Sequence, residues 1–150
     1  MADHRVMAER RSISSRLRSY APRAVTHLET LARLRPDDIE IRGDLARALL
    51  AAGREDEALM LAQGSDLPAL ARIEAWVRQQ RGEMALAVQA YGRVLQGEPA
   101  DAASWNNLGN IHAAAGHFDQ AINAFEHAIT YQPGEVGIYL NLADVLRQAD

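Results

Sequence analysis

The chain has 150 residues, is 48% hydrophobic but only 5% aromatic, and carries a formal net charge of −4. That length suits one domain, and an alanine-rich, aromatic-poor composition favours closely packed helices over a sheet. Cysteine and lysine are both absent, which excludes disulfides, thiolate nucleophiles, cysteine–zinc sites and every motif that needs a lysine, while the net acidity argues against nucleic acid as a partner.

Charge is unevenly spread: residues 1–35 carry eight arginines and three acids, and the rest carry eight against seventeen. The N-terminus, MADHRVMAERR, lacks the apolar run of a signal peptide, and no segment has the roughly 20 apolar residues of a membrane span. A cytoplasmic protein with no membrane partner is the expectation. Residues 5–18 read as a basic amphipathic helix, with Val6, Met7, Ile13 and Leu17 loosely to one side and Ser12, Ser14 and Ser15 weakening it. A solvated cap is favoured there over a membrane-surface or anion-seeking segment, whose apolar face is usually fuller.

Pro22 suits a helix start, and Pro36 ends that helix at about Arg35. Asp37 or Asp38 then caps a helix over Ile39–Ala52 that Gly53 terminates. Asp56 and Glu57 follow at the next helix start, where acids interact with the dipole. That helix closes early, at Gln63, Gly64, Ser65 and Asp66. Asp66 is the expected cap of a helix beginning at Pro68, whose apolar stripe Leu70, Ile73 and Val77 predicts a rotation of one position relative to the units around it. Gly82 and Pro99 punctuate the following helix pair, and Asp101 caps the next.

The organising stretch is Ala102 to Glu135. Counted as a 34-residue unit it has Trp105 at position 4, Leu108 at 7, Gly109 at 8, Gly116 at 15, Ala121 at 20, Phe125 at 24, Ala128 at 27 and Pro133 at 32. Small residues stand where two helices must approach closely and large ones where the pair needs volume; Gly116 and Pro133 end the helices. The stretch closely resembles the tetratricopeptide repeat, a helix–turn–helix module of that length. The same count places Ala24, Leu28, Leu31 and Pro36 in the second helix of a degenerate unit at about 5–38. It gives a short unit at 39–67 through Leu45, Ala46 and Ala58, and a unit at 68–101 through Gly82, Ala87, Tyr91 and Pro99. A half unit or capping helix, 136–150, completes the single domain through Tyr139, Leu142 and Ala143. The expected fold is all-α: about nine helices in antiparallel pairs, no strand, and the right-handed superhelical solenoid that the resemblance implies. Tyr139, Leu142, Val145 and Leu146 recur at helical spacing in the last helix, which predicts an open, self-associating end or a chain that continues.

No catalytic constellation is present: there is no P-loop, GxGxxG after a strand, GxSxG or HExxH, so neither catalysis nor a cofactor is expected. His112, His117 and His127 read as packing or surface residues rather than metal ligands. Function is therefore sought in shape. In the family, positions 2, 5, 6, 9, 12 and 13 tend to face a concave groove that binds a protein or peptide. Here those positions offer Arg47, Trp76, Asn106, Asn107, Asn110, Asn141 and Asp144, with Trp76 as an apolar anchor, Arg47 for an acidic group and the asparagines for an extended backbone. Asn107 and Asn141, one unit apart, are similar to the asparagine ladder of the O-linked N-acetylglucosamine transferases, broken here by Asp44 and Ile73. Two function classes follow: a peptide-binding scaffold, or the substrate-presenting region of a larger bacterial enzyme, such as a transferase, with its catalytic domain beyond Asp150.

Overall fold

A computed structural model describes residues 19–149, and every regular element among them is an α-helix. The expected helix over 5–18 lies outside the described residues. The helices are α1 (19–34), α2 (Ile39–Ala51), α3 (Glu55–Ala62), α4 (Pro68–Gln80), α5 (Met84–Gly97), α6 (Ala102–Ala114), α7 (Phe118–Tyr131) and α8 (Val136–Ala149). They fall into two compact units, one ending at Gln63 and the other beginning at Gly64.

In the first unit, Asp38 caps α2 by accepting from the backbone N–H groups of Glu40 and Ile41 at 3.1 and 3.2 Å. These are two of the donors that a helix start leaves without an internal partner. α2 ends at Gly53, whose φ of 77° lies in the left-handed region that an L side chain resists. Leu45, Ala46 and Ala58 are buried, as the 34-residue count expects, and α3 has only eight residues, so this pair is short as foreseen. α1 departs from the count: Ala21 and Val25 are buried, whereas Ala24 and Leu31 are exposed. Arg54, in the α2–α3 turn, donates to Glu57 and, at 3.1 Å, to Glu29 of α1.

In the second unit each helix packs on the next in sequence, and α6 also meets α8. α6 and α7 run antiparallel, since Trp105 stacks on His127 and Gly109 faces Phe125. A Cβ on Gly109 would stand 2.5 Å from the Phe125 ring, so only glycine permits this approach. Two apolar cores result. Ala75, Ala87, Ala90, Tyr91, Leu108, Ile111 and Ala124 join α4 to α7, and Ala121, Phe125, Ala128, Ile138 and Val145 join α7 to α8. Trp105 packs against both, which ties successive helix pairs into one stack. Its indole N–H is satisfied by the Pro99 carbonyl at 2.9 Å.

α4 is not rotated by one position. Leu70, Ile73 and Val77 are buried, but so are Ala71, Glu74 and Ala75, the residues that an unshifted count turns inward. Glu74, 5% exposed, takes a place normally apolar because its charge is fully answered. Its Oε2 accepts from the Gly64 N–H at 2.8 Å and from Arg93, and Arg93 also donates to the Ser65 carbonyl at 3.2 Å. Arg78 reaches Glu74 at 3.9 Å and Glu83 at 2.5 Å. The buried carboxylate thus holds the loop before α4 onto α5. Burial of this kind is costly unless paired, and here it is paired on both sides. Asp66 does not cap α4; the N-cap is Leu67, whose N–H donates to Ser65 Oγ at 3.2 Å.

Candidate functional site

Three helices of the second unit hold the same place in successive 34-residue periods. Ala71 of α4, Trp105 of α6 and Tyr139 of α8 share position 4; Ala75, Gly109 and Ala143 share position 8. Positions 5, 6 and 9 then bring Arg72, Ile73 and Trp76 into line with Asn106, Asn107 and Asn110, and with Leu140, Asn141 and Asp144. Six of the seven expected site residues stand here. Arg47 belongs to the first unit, on α2, where it is exposed and paired with Asp44 one turn earlier.

Trp76 settles the register of α4 from outside: it is 43% exposed, a large ring standing out from a helix whose other apolar residues face inward. Hydrophobic periodicity pulled toward Leu70, Ile73 and Val77, but the buried ion network lets the helix keep its register and leaves the indole at the surface.

Two of the asparagines are engaged with each other. Asn141 Nδ2 donates to Asn106 Oδ1 at 3.1 Å, joining α8 to α6. The Tyr91 hydroxyl donates to Gln79 Oε1 at 2.7 Å, joining α5 to α4. Burial pushes the Tyr91 phenol up to about 12; Asn107 opposes this, and the charge of Asp101 adds to it. Asn110 stands exposed.

The charges on this face are paired. Arg72 donates to Glu98 and, at 3.1 Å, to Asp101; burial works against its charge, but the two carboxylates outweigh that and hold the guanidinium above its usual value. Asp101, though the N-cap residue of α6, spends its carboxylate on Arg72 and on the buried Ser104 hydroxyl at 2.6 Å, not on the helix backbone. Asp144 accepts from Arg147 at 2.6 Å and from Gln148 at 2.7 Å.

Sequence reasoning did not foresee the Tyr91–Gln79 hydrogen bond. Leu140, 65% exposed, shares position 5 with Arg72 and Asn106, one of the positions that the family count turns toward the groove. Nothing in the spacing marks Tyr91 as more than a core aromatic.

A separate open cleft of about 300 Å³ lies between α6 and α7, with Leu108 and Ala124 against it and His112, Asp119 and Asn123 around it. His112 and His117 face each other across the turn, ring centroids 6.0 Å apart; burial, reinforced by the neighbouring imidazole, holds His112 below its usual pKa. Among the described residues no three histidine, cysteine or acidic side chains gather as metal ligands, and no helix is long and apolar enough to cross a membrane.

No curated protein matches the chain. Several solved structures share its fold. A crystal structure of MamA superposes with a TM-score of 0.78 at 18% identity, over 89% of this chain and 81% of that one. MamA from Desulfovibrio magneticus RS-1, residue 41 to its end, gives 0.76 at 22% identity, over 93% and 84%. A double mutant titled MamA RS-1 ArsTM gives 0.77 at 22%, over 93% and 83%. Three family profiles, each described as a tetratricopeptide repeat, match residues 21–74, 74–116 and 102–135. Contiguous matches from 21 to 135, on helix pairs with the repeat's buried signposts, place this chain in the tetratricopeptide-repeat family.

Proposed function

We propose that this chain is a protein-interaction scaffold that takes a peptide or a partner's helix along the face formed by α4, α6 and α8. The chain reads as repeat units at 39–67, 68–101 and 102–135, with α8 opening a further half unit. Trp76 carries the proposal. Its half-exposed indole offers a large apolar surface of the kind enriched at interface anchors. Asn110, at the same position one period on, is uncharged and exposed. Family membership supplies the general role of protein binding. The chemistry displayed, amides and apolar groups with paired charges, suits binding.

The test compares immobilised wild type with a Trp76→Ala/Asn110→Arg double variant of equal thermal midpoint. Proteins retained by the wild type and lost by the variant are expected. An identical retained set would remove this face from binding.

A further inference from the structure

We infer that the cleft between α6 and α7 receives an arginine side chain of a protein partner, at a site separate from the α4–α6–α8 face. The cleft, of about 300 Å³, has an apolar wall of Trp105, Leu108 and Ala124 and a polar rim of His112, Asp119, Gln120 and Asn123. The wall is set before any ligand arrives. The Trp105 ring stacks on His127 with centroids 4.3 Å apart, its N–H is held by the Pro99 carbonyl, and Leu108 and Ala124 belong to the buried core.

Charge decides what such a cleft takes. Among the described residues no arginine lines it, and burial keeps the His112 imidazole below its usual pKa, so it is uncharged at neutral pH. His112 stands in the last turn of α6 and Asp119 in the first turn of α7, so opposite ends of two helix dipoles meet here and offset each other. Asp119 is left as the one charge of the cleft. It is exposed and has no hydrogen bond or ion pair among the described residues. The amides of Gln120 and Asn123, also exposed on α7, add acceptors without adding charge. A cation is therefore favoured. Guanidinium fits best: it is flat and weakly hydrated, so it rests on an apolar wall, and its five donors can meet a carboxylate and amide oxygens together, whereas an ammonium holds its water. An open cleft leaves a free small molecule largely in solvent, while a side chain on a protein surface brings its own cover.

The experiment follows the amide signals of the isotope-labelled full chain by NMR as a short peptide of alanines with one central arginine is added. Saturable shifts centred on residues 119–124 are expected, and they should weaken with salt because Asp119 is exposed. Exchanging the arginine for citrulline, which keeps the shape and loses the charge, should weaken binding about tenfold or more, as should Asp119→Asn in the protein. Glu126→Gln, which removes an exposed acid of α7 outside the cleft, should change affinity less than about twofold. Equal affinity for the citrulline peptide, or an equal loss with Glu126→Gln, would overturn the site in favour of general surface attraction. A lysine peptide that binds as tightly would overturn the choice of guanidinium, and free arginine that binds more tightly than the peptide would overturn the protein source. Shifts that are absent, or centred on Trp76 instead, would overturn the cleft as a binding site.

Discussion

At the scale of single residues, two glycines in apparently similar helical settings predict opposite outcomes. Gly109→Ala gains about 1 kcal/mol of helix propensity, but its new methyl meets the Phe125 ring, which is fully buried and cannot retreat. Overpacking of this kind costs about 1–3 kcal/mol, so the clash wins and the variant should be less stable. Gly92, on α5, has nothing within 4 Å of an added Cβ, so Gly92→Ala should stabilise by about 0.5–1 kcal/mol. Chemical-denaturation midpoints check both; equal shifts would mean the α6–α7 approach is looser than described. His112 gives a prediction in pH. Its folded pKa is depressed, so the unfolded chain takes up the proton first, and stability is lost as pH falls through the ordinary histidine range near 6.5. His112→Gln should flatten the decline in denaturation midpoint below that pH relative to wild type. An unchanged slope would place the imidazole in solvent.

At the scale of helices, the buried Glu74 is the most consequential departure from the repeat's usual chemistry. Glu74→Gln keeps the shape but removes the charge that Arg93 and Arg78 share, and should destabilise the protein by about 1–3 kcal/mol. Thermal melts compared with Glu57→Gln, whose pair with Arg54 is exposed, would show the contrast; equal effects would make the buried pairing energetically silent. Much of the helix plan was legible in sequence. Gly53, Gly116 and Asp38 have turn and cap chemistry that acts locally, and Trp105, Leu108, Gly109 and Phe125 mark a helix pair whose contacts close within one period. The register of α4 was not legible. Periodicity counts an inward glutamate as an error, whereas the partners that make it tolerable lie in a loop and on the next helix. The asparagines failed to announce their engagement for the same reason, since Asn106 and Asn141 meet across 35 positions.

At the scale of the whole molecule, the proposed interaction face and the core draw on different residues of the same helices. On α4 and α6, Ala71, Ala75 and Gly109 at positions 4 and 8 are buried, while Trp76 and Asn110 at position 9 stand exposed. Phe125→Ala, which empties a fully buried site, should cost about 3–5 kcal/mol, whereas Trp76→Ala should barely move the denaturation midpoint and act on binding. The chain has two tryptophans, so Trp105→Phe leaves Trp76 as its one indole reporter. The emission of Trp76 in that variant, followed as a protein retained by the immobilised wild type is added, tests the α4–α6–α8 face most directly. Burial of the indole against the ligand predicts a blue shift that saturates with binding. A retained protein that binds with undiminished affinity while the emission maximum stays fixed would contradict the assignment of this face as the interaction surface.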